Sequence, residues 1–314
     1  MGDFYERSVI IHEQLRGKIG IVSKVPIEGQ DDLSVAYTPG VARPCEAIAA
    51  DPGRARDLTI KRNAVAVVSD GSAVLGLGNI GALAAIPVME GKALLFKEFA
   101  NIDAWPICLD TQDTQQVIET VRRIAPVFGG INLEDFAAPH CFEIESALQD
   151  LGIPVFHDDQ HGTAIVLLAA LLNAGRVLDR ELSDMRVVVS GAGAAGTAIA
   201  RMLRCVNLDP AVCVPVRDII VCDSKGIINR ERDNLSPEKQ ELLGYTNRDG
   251  RSGSLQDALR GADVFIGVSK GNTVSVDDVR SMAADPVILA MANPIPEIMP
   301  EDARSGGAAI VGTG

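Results

Sequence analysis

The sequence predicts an α/β protein whose two domains are built on parallel sheets. Its 314 residues are enough for two domains of ordinary size. Short apolar runs that resemble buried strands alternate with amphipathic segments along the chain, which is the pattern of layered α/β folds. A glycine-rich turn between a strand and a helix, near the middle of the chain, is typical of a Rossmann-type domain. We therefore predict an N-terminal α/β domain over residues 1–160 and a Rossmann-type domain over 161–314.

In the first half of the chain, apolar runs that end at polar residues predict strands. AVAVVSD (Ala64–Asp70), KALLFKEF (Lys92–Phe99) and WPICLD (Trp105–Asp110) are three such runs. TQQVIETVRRIAPVF (Thr114–Phe128) is amphipathic and predicts a helix. GGINLEDF (Gly129–Phe136) follows it and predicts a short strand with acids at its end.

The second half repeats this alternation. IPVFHDD (Ile153–Asp159) predicts another strand that leads into acids, and GTAIVLLAALLNAG (Gly162–Gly175) predicts a buried helix closed by its last glycine. Its longest apolar run, AIVLLAALL, is about half the length of a membrane span. RVVVSGAGAAGTAIARMLR (Arg186–Arg204) reads as strand, turn and helix. Three more predicted strands are DIIVCD, ADVFIGVS and PVILAMANP.

The net charge and the cysteine content indicate which ligands and which cellular compartment to expect. The formal net charge of −13 argues against nucleic-acid binding, since no basic field is present to neutralise phosphates. The charged N-terminal residues contain no apolar core of a signal peptide. The six cysteines form no CxxC motif or evident disulfide framework. We expect a cytoplasmic protein that binds no membrane.

Two G-x-G-x-x-G motifs occur, and their contexts differ. GAGAAG (Gly191–Gly196) directly follows a predicted strand and opens a helix, and the next strand ends at Asp223, as in dinucleotide-binding units. GLGNIG (Gly76–Gly81) is separated from its strand, and we expect a packing loop there. The spacing from Gly191 of GAGAAG to Asp223 exceeds the usual ~20 residues because of the loop NLDPAVCVPVR. The predicted cofactor-binding residues are Gly191, Gly193, Ala194, Ala195, Gly196, Asp223 and Ser269.

The sequence leaves the choice between NAD and NADP open. Asp223 favours a free ribose 2′-hydroxyl, whereas Lys225 could meet a 2′-phosphate.

Four acids follow two predicted strands. Glu134 and Asp135 end one strand, and Asp158 and Asp159 end another; parallel strands point their carboxyl ends at one edge of a sheet. Four carboxylates brought together there would repel one another unless a cation neutralised them. Oxygen ligands suit Mg²⁺ or Mn²⁺. The alternative is that these acids cap helices, as Asp159 would before QHGTAIVLL.

The two histidines that flank the aspartates are a weaker metal signal. His157 and His161 are four residues apart, a spacing that zinc ligands on a helix adopt. His157, however, lies before the predicted helix, and apart from His140 no third ligand is nearby in sequence. We expect these histidines to be loop residues or to support the carboxylates.

Several long motifs occur along the chain in this order: AYTPGVA, SDGSAVLGLGNIG, PVMEGKALLFKEFANIDAWPICLD, INLEDF, FHDDQHGTA, GAGAAG and ANPIPEI. In these motifs and in their order the chain resembles the malic enzymes, in their short bacterial form, over roughly residues 15 to 314.

The resemblance implies oxidative decarboxylation of (S)-malate to pyruvate and CO₂ with NAD(P)⁺ and Mg²⁺ or Mn²⁺. It makes residues 1–160 a substrate and metal domain and residues 161–314 an NAD(P)-binding domain. By similarity the metal ligands are Glu134, Asp135 and Asp159, the catalytic residues are Tyr37, Lys92 and Asp158, and Asn293 contacts substrate.

The implied roles suit the residue types. Lys92 would take the proton of the C2 hydroxyl, which requires a pKa lowered from its ordinary ~10.4 toward neutrality. Tyr37 would then protonate C3 of enolpyruvate. On its residues alone, YTPG is also ordinary turn chemistry.

Two departures from the family pattern stand out. Larger malic enzymes carry a substrate-binding arginine in the loop matching DGSAVLG, at about the position where this chain has Ala73. Ser72, the backbone amides of the glycine loop or another residue would replace it. The sequence also ends at IVGTG, before a family segment that holds a further substrate asparagine, so we expect a C-terminally incomplete NAD(P)-binding domain.

Alternative activities remain. One is a malolactic-type conversion of malate to lactate, and another is a catalytically weak NAD(P)-binding or regulatory form. Similarity to the short forms implies a homodimer, in which the segment that carries Tyr37 could be donated to the partner.

Overall fold

The computed structural model describes residues 2–74, 76–209, 211–233 and 235–314. The chain divides into two compact units. The N-terminal unit comprises Met1–Phe136 and Glu143–Phe156, and the C-terminal unit comprises Ala137–Phe142 and His157–Gly314.

Up to residue 157 the chain contains seven helices and four strands among its described residues, apart from short 3-10 turns. In chain order they are α1 (Gly2–Leu15), α2 (Gln30–Ala36), α3 (Ala42–Ala50), α4 (Ala55–Leu58), β1 (Ala64–Ser69), α5 (Gly81–Ala100), β2 (Asp103–Cys108), α6 (Thr114–Ile124), β3 (Gly130–Leu133), α7 (His140–Ala147) and β4 (Val155–His157).

The sheet of the N-terminal unit has the strand order β2-β1-β3-β4. β1 pairs in parallel with both β2 and β3, with Ala64 opposite Asp103 and Val65 opposite Gly130. All but one of the six residues of β1 are buried, as its continuous apolar run predicts. The predicted strands AVAVVSD, WPICLD and GGINLEDF are therefore confirmed.

The predicted strand Lys92–Phe99 is wrong, because these residues form the second half of the 20-residue helix α5. The buried residues of α5 are Ala85, Met89 and Ala93, which recur every four residues and so lie on one helical face. A short apolar run cannot by itself distinguish a strand from part of a helix. The correction matters for function, since it places Lys92 on a helix that also begins at the end of GLGNIG.

From residue 158 the described elements are α8 (Asp158–Leu178), β5 (Arg186–Ser190), α9 (Ala194–Leu203), β6 (Asp218–Asp223), β7 (Gly226–Ile227), α10 (Pro237–Leu242), α11 (Leu255–Leu259), β8 (Val264–Gly267), α12 (Val276–Arg280), β9 (Val287–Ala290), α13 (Pro300–Ser305) and β10 (Ile310–Thr313).

The sheet of the C-terminal unit has the order β10-β9-β8-β5-β6-β7 and is parallel except for the short β7. Val187 and Val189 of β5 pack into one core cluster with α8 and α9, whereas Val188 packs into a second cluster on the opposite face. Both faces are covered, as in doubly wound folds. The chain goes from β5 to β6 on one side and returns to β8 on the other, so the topological switch point lies between β5 and β8.

The helix predicted over Gly162–Gly175 is longer at both ends. α8 begins at Asp158, passes through Gly175 and ends at Leu178, and Asp179 takes the left-handed terminal position with φ 52°. Gly175 serves close packing instead, since a Cβ there would lie 2.8 Å from the carbonyl oxygen of Arg180. The helix end is therefore set by Asp179 and not by the glycine.

α8 is long and apolar enough to be a candidate membrane span by length and composition alone. Its residues Ala164, Leu167, Leu171 and Ala174 belong to the core of the C-terminal unit. This packing accounts for only part of the apolar composition of α8, because 28% of the apolar window is buried and Ile165 and Val166 are more than half exposed.

One disulfide joins Cys205 and Cys213 in the segment between α9 and β6. No sequence motif indicated this pair. The other four cysteines are free. Disulfides are rare in reducing compartments such as the cytoplasm. The Cys205–Cys213 pair therefore does not support the cytoplasmic location that we predicted from the cysteine spacing.

Two neighbouring leucines of α8 test the packing of the C-terminal unit. Leu171 is fully buried, whereas Leu172 is 41% exposed. We expect Leu171→Ala to lower the free energy of unfolding by about 2–5 kcal/mol, because it leaves a cavity in the core. Leu172→Ala is the matched control and should cost about 1 kcal/mol or less. Urea unfolding followed by circular dichroism measures both, and equal losses would contradict the assigned helix orientation.

Candidate functional site

In the N-terminal unit an ion pair connects α5 to the end of β3. The Nζ of Lys92 lies 2.9 Å from Oε1 of Glu134, whose side chain is only 7% exposed. The side-chain amide of Asn132 donates to the other oxygen, Oε2, at 2.8 Å. The structure thus brings together the predicted base and a predicted metal ligand. A buried carboxylate is costly unless a cation and hydrogen bonds compensate it, and Glu134 has both.

Asp135 follows Glu134 and has a left-handed backbone with φ 56°. Its carbonyl oxygen accepts a hydrogen bond from the amide of Ala73 at 2.9 Å, which fastens the loop after β1 to the end of β3. In that loop the carboxylate of Asp70 accepts from the amide of Ser72 at 2.9 Å. Ala73, at the position of the missing arginine, is therefore held through its backbone next to the predicted metal ligands Glu134 and Asp135.

Tyr37 caps the C-terminal end of α2 and is 67% exposed. Its amide donates to the carbonyl of Leu33, and its own carbonyl accepts from the amide of Val41. The backbone is thus fixed by local hydrogen bonds, while the phenol ring lies largely in solvent within this chain.

In the C-terminal unit the two aspartates of FHDDQHG form the first turn of α8. His157, not Asp159, is the residue that precedes the helix, and its side chain makes no cap hydrogen bond. Oδ1 of Asp158 accepts from the amide of Asp159 at 3.1 Å. Negative side chains in a first turn interact favourably with the helix dipole, so the capping interpretation is correct in part. The side chain of Asp159 is 41% exposed.

His157 is fully buried, and its Nε2 lies 3.7 Å from Oδ2 of Asp159. Its position beside Asp159 agrees with the expected supporting role for the carboxylates. His161 lies one turn later, within α8.

The glycine turn GAGAAG joins β5 to α9 as predicted. Gly191 has φ 122°, a conformation that side chains disfavour. Gly196 packs so tightly that a Cβ would lie 1.8 Å from the carbonyl oxygen of Gly191. Gly193 precedes the helix, which begins at Ala194 and includes Ala195. A helix N-terminus exposed through glycines is the usual place for a pyrophosphate.

Asp223 ends β6, as predicted, but two cations already contact it. The guanidinium of Arg232 donates to both carboxylate oxygens at 2.9 and 2.8 Å, and Nζ of Lys239 lies 2.6 Å from Oδ2. Burial alone would raise the pKa of Asp223, but these hydrogen bonds outweigh it and hold the pKa well below its ordinary value. Arg232 also lines a cavity of about 550 Å³ with Arg230 and Gln240.

Ser269 follows β8, and its hydroxyl lies 3.0 Å from the hydroxyl of Ser190 at the end of β5. The carboxylate of Glu297 accepts from both the amide and the hydroxyl of Ser269. Asn293 is exposed. Its side-chain amide donates to the carbonyl of Met291, two residues earlier, at 3.4 Å.

The sequence analysis missed Arg232, Lys239 and Glu297. The first two are 9 and 16 residues beyond Asp223 in a segment without strong periodicity. Glu297 stands in ANPIPEI, a motif that was recognised only for its asparagine. No spacing rule relates these residues to the strand ends that they contact, so only the fold brings them there.

Comparison with known families identifies both halves of the chain. The family model described as malic enzyme, N-terminal domain, matches residues 16–119 and 111–149. The model described as malic enzyme, NAD binding domain, matches residues 160–314.

Among curated proteins, an NAD-dependent malic enzyme of Geobacillus stearothermophilus is 58% identical over 94% of this chain and 60% of its own length. A bifunctional malic/malolactic enzyme of Bacillus subtilis is 53% identical over 98% of this chain and 74% of its own. An NADP-dependent malic enzyme of Escherichia coli is 48% identical, but the match covers 39% of its length. The chain thus spans between two fifths and three quarters of these relatives.

Solved structures agree. The crystal structure of an NAD-dependent malic enzyme from Thermotoga maritima matches with a TM-score of 0.92 and 48% identity, over 98% of this chain and 80% of that one. A malic enzyme from Pyrococcus horikoshii matches with a TM-score of 0.88 and 44% identity, over 97% and 73% of the two chains. With both family domains matched and relatives near half identity across the fold, the chain belongs to the malic enzyme family.

Proposed function

We propose that this chain oxidatively decarboxylates (S)-malate to pyruvate and CO₂ with NAD(P)⁺ and a divalent metal ion. The observation that carries the proposal is the ion pair between Lys92 and the buried Glu134, which sets an amine base beside a carboxylate at the carboxyl end of β3. Family membership of both domains supports the same reaction.

Lys92 is the proposed base. An amine in its place can take the proton of the C2 hydroxyl while hydride leaves C2 for the nicotinamide, which is the acceptor that the bound dinucleotide supplies. In the ion pair Lys92 is an ammonium group, held beside Glu134 at the side of α5. A metal ion that bound Glu134 would compete with this contact and would favour the neutral amine that a base requires.

Tyr37 is the proposed acid that protonates C3 after CO₂ leaves. Its high exposure within one chain supports the idea that a second copy of the chain covers it. Apolar residues of α1, including Phe4, Tyr5 and Val9, are also exposed. We therefore propose a homodimer, and light scattering that gave the mass of a single chain would contradict it.

The proposed metal ligands are Glu134, Asp135 and Asp159, with Asp158 beside them. Support comes from donor chemistry, because Glu134, Asp158 and Asp159 offer carboxylate oxygens of the kind that Mg²⁺ and Mn²⁺ prefer. A bound divalent ion would act as a Lewis acid toward the C2 oxygen. Ser72 and the backbone amides near Ala73 are proposed to bind the substrate carboxylate in place of an arginine, and Asn293 to contact substrate.

Residues 161–314 are proposed as the NAD(P)-binding domain and residues 1–160 as the substrate and metal domain. The glycine turn at Gly191–Gly196 would hold the pyrophosphate, and Asp223 would lie near the adenosine ribose. We place the protein in the cytoplasm, and recovery in a membrane fraction would contradict that placement.

A malate assay with NAD⁺ and NADP⁺ in parallel, with and without Mn²⁺, tests the proposed function. Metal-dependent formation of NADH or NADPH together with pyruvate supports it. The bifunctional name of the Bacillus subtilis relative favours a malolactic reaction as the second candidate. Lactate without net formation of reduced cofactor would establish that alternative, and dinucleotide binding without turnover would indicate a binding role only.

Lys92→Ala should separate the two half-reactions. We expect malate oxidation to fall by about 10²–10⁴-fold, because the proton of the C2 hydroxyl has no acceptor, while decarboxylation of added oxaloacetate falls much less. Steady-state assays of each half-reaction measure both. Lys97→Ala, an exposed lysine on the same helix, is the control. Equal loss of both half-reactions would show that Lys92 has a structural role.

Asp159→Asn should weaken Mn²⁺ binding by at least about hundredfold, because a ligand carboxylate becomes a neutral amide. Titration of free Mn²⁺ by electron paramagnetic resonance gives the affinity, and NAD⁺ binding should persist. Asp179→Asn, at the exposed opposite end of α8, is the matched control. Unchanged Mn²⁺ affinity in the Asp159 variant would remove it from the metal site.

Lys239→Gln should shift cofactor preference toward NAD. With Arg232 and Lys239 around Asp223 the local charge is about +1, which favours a 2′-phosphate; the substitution lowers it to zero. We expect binding of 2′,5′-ADP relative to 5′-AMP to fall about tenfold, or about 1.4 kcal/mol, in calorimetry. Arg260→Gln removes an exposed cation of the same unit as a control. An unchanged ratio would exclude Lys239 from cofactor selection.

A further inference from the structure

We infer that Glu297 is a positioning residue for dinucleotide binding, which holds the Ser190–Ser269 hydroxyl pair in place at the switch point of the C-terminal sheet. The inference rests on the proposed NAD(P) site. It adds to that site a residue that would not itself touch the cofactor and would act through Ser269.

The carboxylate of Glu297 joins the ends of two neighbouring strands. Its Oε1 accepts from the amide of Ser269 at 2.8 Å and from the hydroxyl of Ser269 at 3.3 Å, just after β8. Its Oε2 accepts from the amide of Ala292 at 3.1 Å, just after β9. One side chain therefore fixes the distance between the two loops that leave the sheet there.

Glu297 is 0% exposed, and among the described residues no lysine, arginine or histidine forms an ion pair with it. Removing a carboxylate from water without a cation costs several kcal/mol unless hydrogen bonds compensate it. Two backbone amides and one hydroxyl provide that compensation. Glu297 is thus held by hydrogen bonds and not by a cation, so any displacement of its carboxylate would break contacts with both loops.

The backbone around the carboxylate is shaped to admit it. At Gly267, the last residue of β8, a Cβ would lie 2.3 Å from the carboxyl carbon of Glu297. The carbonyl oxygen of Glu297 accepts from the amides of Thr273 and Val274 at 2.9 and 3.0 Å, which anchors the residue itself. The side chain thus has one available position, directly behind the end of β8.

That position lies behind the switch point between β5 and β8. Ser190 is the last residue of β5 and immediately precedes the glycine turn, and its hydroxyl lies 3.0 Å from that of Ser269. In open parallel sheets, ligands bind in the crevice outside the carboxyl ends of the strands at this point. The hydroxyl pair lies at the carboxyl ends of β5 and β8, on either side of this point, and Glu297 accepts hydrogen bonds from one member of the pair.

Only a carboxylate satisfies this arrangement. Both oxygens of Glu297 accept, one from the loop of Ser269 and the other from that of Ala292. Glutamine has one acceptor oxygen and an NH₂ group, so Glu297→Gln must direct an N–H donor at one of two backbone amides. The substitution preserves size and breaks one of the two attachments, which makes it a specific probe.

The test is calorimetric binding of NAD⁺ and NADP⁺, without malate, to the wild-type chain, Glu297→Gln, Ser269→Ala and the double variant. We expect Glu297→Gln to weaken the better-bound dinucleotide about tenfold and Ser269→Ala about fivefold. If Glu297 acts through Ser269, the double variant should be no more than about twofold weaker than Glu297→Gln alone. Glu301→Gln, an exposed glutamate in α13, should bind as the wild type does.

Each outcome decides the question. Wild-type binding with an unaffected Glu297→Gln overturns the inference, and so do single effects that multiply in the double variant. If Glu297→Gln does not fold, as judged by thermal unfolding, Ser269→Ala decides: weakened binding supports the inference and unchanged binding overturns it. A wild-type chain that binds neither dinucleotide instead overturns the proposed function on which the inference rests.

Discussion

The compensation of buried carboxylates at the carboxyl ends of strands is the constraint on which the candidate site depends. Glu134 is compensated by Lys92, Asp223 by Arg232 and a neighbouring lysine, and Glu297 by backbone amides and a hydroxyl. Parallel sheets gather such groups at one edge, where helix N-termini and loops supply the partners. An acid there without a partner would cost several kcal/mol, so each must be neutralised, hydrogen-bonded or matched by a ligand.

The type of compensation determines what each acid can do. Glu134 and Asp223 contact cationic side chains, whose charges would compete with that of a metal ion or add to the attraction for a phosphate. Glu297 is held by backbone amides that cannot move away without disturbing the strand ends. The first two contacts therefore suit binding and chemistry, whereas the third suits a fixed support. Glu134 and Asp223 are accordingly proposed to contact ligands, whereas Glu297 is proposed to position Ser269.

Much of the fold could be predicted from the sequence because buried parallel strands appear as apolar runs and because GAGAAG combines a strand, a turn and a helix. The strand predicted over Lys92–Phe99 was wrong because a short apolar run does not show whether its period is that of a strand or a helix. The burial of every fourth residue becomes evident only over the whole of α5. The acids Glu134, Asp135, Asp158 and Asp159 could be proposed from the sequence because the carboxyl ends of parallel strands lie at one edge of a sheet. Arg232 and Glu297 could not be found in this way, since contacts between distant segments leave no local pattern.

The proposed reaction requires a divalent metal ion, for which the family resemblance implies the ligands Glu134, Asp135 and Asp159. Anomalous diffraction from crystals grown with Mn²⁺ tests this requirement. We expect one strong peak per chain at direct coordination distance from carboxylate oxygens of Glu134, Asp135 and Asp159. A peak ligated by His157 or His161 without these carboxylates, or no peak at saturating Mn²⁺, would contradict it.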